Sequence, residues 1–371
     1  MIKIGVIGCG QRMRNLCGKI SRYEHSEITA VYDPSDSQIQ RFSLEVGTSH
    51  PPRRHKTWED LAGDDLDWVM IGSPNVFHAS QAIGCLEKGK HVFLEKPLAV
   101  TLGECIDLAD AWAISNRKLV TGFVLRWSPL YRQMKHLLET MDFGPVISLQ
   151  ASENISYAHG CYIMKNWRRD EAVSGPFILE KCVHDLDLLQ WMASSPVVRT
   201  AAVSGKALYT EKNSSALPKE IVSAWDDKGN LDADTPFGDG PGRVDDHTLV
   251  LMEFQSGAKG QFMTVAGSAL PERRLTVCCL KGTLIGELYS GTLRYRTVSM
   301  DHEHMVTWDA MGLHGAGDDP LAEDLYLQMS GERSEQVSAL EGLQAVLCGI
   351  AAGEAAVTGG WVEVLHQCLK V

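Results

Sequence analysis

Five short apolar runs alternate with helix-like stretches across the first third of this chain, and that order admits few folds. The runs are "KIGVIG" (3–8), "ITAVYD" (28–33), "DWVMIGS" (67–73), "HVFLE" (91–95) and "KLVTGF" (118–123). The stretches between them reach about residue 21 and then cover 35–46, 76–88 and 102–115. Buried strands alternating with amphipathic helices predict an α/β unit built on a parallel, doubly wound sheet. In such a sheet the chain leaves the strands along one edge, and ligands bind there. Gly8, Asp33, Ser73 and Glu95 end four of the runs and are expected along that edge.

The rhythm changes near residue 125. A helix is expected over 129–141, a strand over 146–155 and a second helix over 179–192. Strand-like runs follow at 197–208, 247–255, 259–266, 273–280 and 283–288, with turns such as "QSGAKG" between neighbours, which predicts a mainly antiparallel sheet. The chain is therefore read as two domains, 1–123 and 124–371, the second an α+β domain with an open sheet. With 371 residues, 44% of them hydrophobic, there is material for two cores. The acidic, Gly- and Pro-rich segment 226–243 reads as a long surface loop. Helical patterns return at 320–330 and 339–358.

Bulk properties narrow the classes of partner. A net charge of −12 and a pI near 5.5 give no basic footprint, so no nucleic-acid partner is expected. No run of eighteen apolar residues exists, so no membrane span is expected. The chain opens directly into its first strand, which argues against an export leader. Ten scattered cysteines without C-x-x-C spacing suit a reduced cytoplasm and offer no zinc site.

Gly8 and Gly10 follow the first buried run and open a helix-like stretch. In that context a G-x-G turn presents backbone N–H groups to a pyrophosphate. Gln11, Arg12 and Met13 complete the turn. Met13 stands where such turns place a third small residue, which predicts looser helix–strand packing or a shifted helix. Asp33 ends the second run. Its carboxylate can accept from adenosine ribose hydroxyls and would repel a 2′-phosphate, which favours NAD over NADP as cofactor. A helix N-cap or turn role before Pro34 is the competing use for it. Two further exits carry "SPNVFH" (73–78) and "LEKPL" (94–98), making Ser73, Pro74, Asn75, His78, Glu95 and Lys96 candidate cofactor residues. Lys96 could hydrogen-bond a sugar hydroxyl and stabilise a developing alkoxide; a plain surface lysine is the alternative.

In "ILEKCVHDLDLLQWM" (178–192), helical spacing puts Glu180, His184 and Asp187 on one face. Histidine suits proton transfer near neutrality, and a flanking carboxylate could orient it. A solvated helix face is one alternative. A metal site is another, but three ligands from one helix would need others, so no metal is expected. Lys181 lies about 100° round the same helix. With Arg126 and Arg169 it could grip an anionic sugar, such as a uronate or sulfonated sugar, or serve as an ordinary ion-pair partner. "HEH" (302–304) reads as loop.

Together these residues resemble the Gfo/Idh/MocA family, named for glucose–fructose oxidoreductase, inositol dehydrogenase and a rhizopine-catabolism protein. The motifs are "GVIGCG", "SPNVFH", "EKP" at 95–97, "GFVLRWSPLY" at 122–131, "NWRR" at 166–169 and E-x-x-x-H-x-x-D at 180–187. The resemblance implies an N-terminal nicotinamide-binding Rossmann domain and a C-terminal α/β domain with an open sheet. It implies catalytic roles for Lys96, Glu180 and His184, with Trp167 and Arg168 near the cofactor. Glu180 stands where the family usually has Asp, and Cys182 where Gly is common; these departures bear on the substrate. The reading is a cytoplasmic NAD-dependent oxidoreductase of a sugar, polyol or glycoside. The alternative is an NAD-dependent glycoside hydrolase working by transient oxidation, elimination, water addition and re-reduction. Tyr157 or His159 would then add a base. "TLVLMEF" (248–254) is apolar on both faces of its strand, so its sheet needs a lid or a partner subunit. The resemblance likewise implies a homodimer or homotetramer through that sheet.

Overall fold

The computed structural model describes all residues except 49, 214–215, 218–243, 310–311, 313, 334–337 and 370–371. The expected loop at 226–243 lies outside the described residues. The chain divides into two compact units. The first holds Met1–Val124, Gly317–Val346 and Gln367–Val371; the second holds Leu125–Ala316 and Leu347–His366. The sequence reading placed everything after 123 in one second domain, whereas here 317–346 and the last residues cluster with the first unit.

The first unit begins with β1 (Ile2–Ile7), α1 (Gln11–Ile20), β2 (Ser26–Tyr32), α2 (Asp36–Val46), β3 (Arg53–Arg54) and α3 (Trp58–Ala62). β4 (Trp68–Ile71), α4 (His78–Glu87), β5 (His91–Leu94), α5 (Leu102–Ser115) and β6 (Leu119–Thr121) follow. The strands form one sheet in the order β3-β2-β1-β4-β5-β6, and every pair is parallel. The order reverses at the β1/β4 boundary, the switch point at which such sheets bind ligands. Residues of β4 are all buried, as are Val92, Phe93 and Leu94 of β5, the burial expected of a sheet covered on both faces. Local signals set the helix ends. Thr101 and Glu104 form a reciprocal box at the start of α5, and Gly47 and Asn116 end α2 and α5 in the left-handed region. β3 was not expected; two exposed arginines give no apolar signal.

The second unit contains α6 (Pro129–Thr140), β7 (Val146–Ser156), α7 (Tyr157–Met164), α8 (Glu171–Ser174), α9 (Phe177–Glu180) and α10 (Val183–Ala193). Then come β8 (Val197–Gly205), β9 (His247–Phe254), β10 (Lys259–Ser268), β11 (Glu272–Cys279), β12 (Gly282–Glu287), β13 (Thr292–Thr297) and β14 (His304–Thr307). His304 therefore starts a strand rather than lying in a loop. α11 (Asp318–Met329) returns to the first unit, α12 (Ala339–Thr358) gives residues to both, and β15 (Trp361–Glu363) belongs to the second. The nine strands run in the order β14-β13-β12-β11-β7-β10-β9-β8-β15. Only β7 and β10 pair in parallel.

The sheet has one packed face and one open face. Along β9, Thr248, Val250, Met252 and Phe254 are buried, while Leu249 is 47% and Leu251 53% exposed. Leu249 pairs with Val203 of β8 and Met263 of β10, which are 64% and 47% exposed. These four residues make an apolar patch on the open side. In the first unit α11 is tied to α1 and the residues after it. Tyr326 stacks on Tyr23 with ring centroids 4.5 Å apart, and its hydroxyl donates to Glu24 O at 2.7 Å. Among the described residues α12 is long and apolar enough to cross a bilayer by length and composition, but 61% of that window is buried within the protein. Gly349 and Gly353 bring it against Leu179 and Pro176.

Candidate active site

The candidate residues fall into two sets, one in each unit. In the first unit β1 runs into Gly8, whose φ of +86° lies in the left-handed region. A Cβ on Gly8 would stand 2.7 Å from backbone atoms of Gly72 and Ser73, so only glycine fits. Gly10 differs. It is the N-cap of α1, and a Cβ there would meet nothing within 4 Å. The space beside it is open, and α1 has neither a side-chain cap nor an acidic residue in its first turn. Its first N–H groups are left for an anion, the arrangement that takes a pyrophosphate. The turn thus fits the phosphates of a dinucleotide.

Asp33 serves the same turn. Its Oδ2 accepts from the Cys9 N–H at 2.8 Å and its Oδ1 from the Ser35 N–H at 2.8 Å. The N-cap of α2 is Ser35, so Asp33 braces the glycine turn instead of capping the helix. Each carboxylate oxygen keeps a further lone pair for a ribose hydroxyl. Met13 is fully buried and cannot touch a cofactor, which corrects its place among the cofactor residues. A Cβ on Gly72 would lie 2.6 Å from Met13 Cγ.

The exits of β4 and β5 are held by buried polar contacts. Glu95 is buried. Its carboxylate accepts from Arg12 Nε at 2.7 Å and from the Lys96 backbone N–H at 3.2 Å. Arg12 Nη1 also reaches Asp318 at the start of α11. A Cβ on Gly122 would come within 2.7 Å of the Glu95 carboxylate, so this glycine makes room for it. Ser73 Oγ donates to Gln81 Oε1 at 2.6 Å. Pro74 precedes the short turn Asn75–Phe77, in which Asn75 is buried. His78 is 1% exposed, with both ring nitrogens facing backbone carbonyls, so it too is withdrawn from the cofactor-touching set. Lys96 is half-buried in the turn after β5.

In the second unit the helix expected over 179–192 is broken. α9 ends at Glu180, Lys181 and Cys182 bend, and α10 starts at Val183. Glu180 Oε1 accepts from Arg168 Nε at 2.8 Å. The Arg168 guanidinium stands 4.2 Å from the Trp167 ring centroid and 4.8 Å from that of Tyr162. Trp167, Arg168 and Glu180 are thus brought together. Tyr162 joins them unforeseen; only its place on α7, packed against the 167–169 turn, links it to the acid. His184 is buried in the first turn of α10. Tyr157 opens α7, and its carbonyl accepts from the Tyr209 hydroxyl at 2.9 Å. The His159 N–H donates to Ser156 Oγ at 3.3 Å, which starts the helix.

Two cations of the anion-gripping reading are spent inside the protein. Arg126 binds Asp187 bidentately, Nε at 2.8 Å and Nη2 at 2.6 Å, and both are buried. Lys181, 8% exposed, pairs with Glu153 at 2.5 Å. Glu153 also takes Arg273 Nη1 at 2.9 Å, and Arg273 holds Asp185 through Nε at 2.9 Å and Nη2 at 2.6 Å. Lys181 and Arg126 are therefore corrected from substrate contacts to ion-pair partners. The reason is burial beside carboxylates on other elements, Asp187 for Arg126 and Glu153 for Lys181. Burial pushes the Asp185 carboxyl up to about 7, with Glu153 adding to the push. Burial would raise Glu153 as well, but Arg273 and Lys181 hold it down to about 2.

Residues 2–123 match the NAD-binding Rossmann fold of the Gfo/Idh/MocA oxidoreductase family, and 135–364 match that family's C-terminal alpha/beta domain. The chain belongs to this family, and its first domain is an NAD-binding one. It is similar to inositol 2-dehydrogenase 1 of Saccharopolyspora erythraea, 29% identical over 205 residues, covering 53% of this chain and 56% of that protein. The chain spans about half the length of the inositol dehydrogenases it matches. The 1,5-anhydro-D-fructose reductase of Ensifer adhaerens is 24% identical over 373 residues, covering 98% of this chain and 99% of that protein. A levoglucosan dehydrogenase solved with NADH and levoglucosan shares the fold. Its TM-score is 0.81 at 18% identity, over 98% of this chain and 99% of that one.

Proposed function

We propose that the protein is an NAD-dependent dehydrogenase of a ring hydroxyl on a sugar, polyol or glycoside. The observation that carries this is the uncapped start of α1 beside Gly10, braced by the Asp33 carboxylate at the β2 exit. The dehydrogenase and reductase relatives support the choice of a sugar-like substrate. NAD, when bound, supplies a hydride acceptor at carbon 4 of its nicotinamide. Gly8, Gly10, Gln11, Asp33, Ser73, Pro74 and Asn75 would hold it, with Trp167 and Arg168 as further cofactor-side residues.

The chain's own chemistry is then proton handling. His184 takes the hydroxyl proton, a task suited to an imidazole near neutral pH. Lys96 donates to the substrate oxygen as negative charge builds on it. Glu180, fixed by Arg168, orients the hydroxyl or relays its proton. The apolar patch around Leu249 and Leu251 supports a homodimer or homotetramer formed through the open sheet. Ten free cysteines accord with a reducing, cytoplasmic setting. The test is a panel of free sugars, polyols and aryl glycosides with NAD, followed for NADH absorbance and for aglycone release. NADH formation with one class is expected. Aglycone release without NADH build-up overturns the reading in favour of a redox-cycling glycosidase.

A further inference from the structure

His78 sits between two turns that leave adjacent parallel strands. β4 leads to Ser73 and β5 to Pro97, and β4 pairs directly with β5. His78 Nδ1 lies 2.6 Å from Pro97 O, and Nε2 lies 2.8 Å from Ser73 O. A backbone carbonyl only accepts hydrogen bonds, so each contact needs an N–H on the ring. A neutral imidazole carries one N–H; only the imidazolium carries two. With one proton missing, a bare nitrogen would face a carbonyl oxygen in a site closed to water.

We propose that His78 is a positioning residue that works as an imidazolium, clamping the Ser73 and Pro97 turns together and so placing Lys96 and the β4 exit for the cofactor. This rests on the assignment of those exits to NAD and Lys96 given above. The charges that act on the ring come from the β5 exit. The Glu95 carboxylate favours the cation and Lys96 opposes it, while burial itself is the larger opposing effect and pulls the ring's pKa down. Arg12, bound to Glu95, moderates the first of these. On α4 the near polar neighbour is the uncharged Gln81, engaged by Ser73 Oγ. Clamp and proton therefore depend on each other: loss of the proton frees one turn.

Two measurements on the full chain test this. The first is a long-range proton–nitrogen NMR spectrum with nitrogen-15 histidine, recorded without NAD from pH 5.5 to 9 and assigned with His78→Gln. Two protonated ring nitrogens for His78 at the low-pH end are expected; one protonated and one bare nitrogen throughout overturns the clamp. The second is calorimetric titration of NAD into wild type and His78→Gln over the same range. Wild-type affinity is expected to fall at least tenfold in step with the proton lost in the NMR titration, or to stay level if no proton is lost. His78→Gln is expected to bind at least tenfold more weakly than wild type at pH 6 with no such step. Affinity indifferent to a proton that the spectrum shows leaving, or unaltered in His78→Gln, overturns the proposal. Should that variant not fold, His78 is assigned instead by through-bond correlation of its ring to its backbone, and the wild-type pair of titrations decides. If NAD fails to bind at any pH, the cofactor reading falls, while the NMR spectrum still judges the clamp by itself.

Discussion

Met13 fills the volume that a side chain on Gly72 would take. A Cβ added to Gly72 would lie 2.6 Å from Met13 Cγ and 3.2 Å from its Sδ. The small residue that lets a glycine-turn helix approach its sheet has moved from the helix to the strand exit. Helix α1 packs closely although its own third position is large.

Gly72→Ala should therefore destabilise the protein by about 1–3 kcal/mol, the range for overpacking. Met13→Ala alone should cost about 2–5 kcal/mol through the cavity it leaves. Combined, the two changes should lose less than their sum by at least about 0.5 kcal/mol, because the new methyl enters the vacated space. Urea unfolding of the four proteins gives the cycle; simple additivity would show that the two residues do not share this volume.

Asp33→Ala should shrink the preference for NAD over NADP. It should also weaken NAD binding itself, since the Cys9 and Ser35 N–H groups lose their acceptor. Asp33→Asn keeps one acceptor oxygen and should fall between wild type and Ala for NAD. Calorimetry with both dinucleotides checks the order. Tighter NADP than NAD binding by the wild type would refute the role given to Asp33.

Lys96→Ala and His184→Ala should each lower turnover at least about a hundredfold, the low end for acid–base groups, with NAD still bound. Arg168→Met should give a smaller loss of turnover, because Glu180 remains but is no longer held. Steady-state rates with fluorescence titration of NAD separate the two effects. Unchanged turnover in any of the three removes that residue from the mechanism.

The buried group of Glu153, Lys181, Asp185 and Arg273 predicts a pH signature. An unfolded Asp titrates near 3.9, whereas folded Asp185 keeps its proton up to about 7. Between those values the folded protein binds the extra proton, so this group's contribution to stability declines as pH rises through the window. Glu153 acts oppositely: held down to about 2, it adds stability as pH rises from there through the unfolded glutamate value of about 4.3. Asp185→Asn should flatten the first slope in urea unfolding between pH 4 and 7.5. Arg273→Met should cost about 3–5 kcal/mol by stranding the buried Asp185 and leaving Glu153 with Lys181 alone. A slope no different in Asp185→Asn from that of the wild type would contradict the assignment.

Leu249→Arg or Leu251→Arg should leave folding intact and reduce the molar mass seen by light scattering at micromolar concentration. Both side chains lie on the open sheet face, where a new charge meets water in a monomer but an apolar neighbour in an assembly. An unchanged mass in both variants would move the interface elsewhere.

Much of this was legible in the residues, for a physical reason. Val6, Met70 and Phe93 belong to strands buried on both faces, and such strands announce themselves as short apolar runs. The 339–358 helix was equally plain. The bend at Lys181 and Cys182 was not, because the apolar periodicity runs straight through it. Lys181 keeps helical dihedrals at the end of α9 and reaches Glu153 on β7, a pairing that no local pattern encodes. β14 escaped because His304, Met305 and Thr307 are all exposed and carry no apolar alternation, and β13 because its alternation of Leu293 and Tyr295 with arginines is brief. The Arg12–Asp318 contact joins positions far apart in the chain, and no local pattern encodes it. Asp187 was singled out as well as Arg126 and Lys181, but nothing local joins it to Arg126 or Glu153 to Lys181.

Asp318 has a consequence for how the protein is made. It belongs to the nucleotide-binding unit, yet it leaves the ribosome only after the long 125–316 segment of the second unit. Until then Arg12 lacks one of its two carboxylates and Tyr23 lacks the ring that stacks on it. The nascent first unit must wait, incomplete, while the second is synthesised and begins to fold. A gene fragment ending at residue 123 would hold it in that unfinished state, whereas one joining 1–124 directly to 317–346 would supply the missing helix and spare the wait.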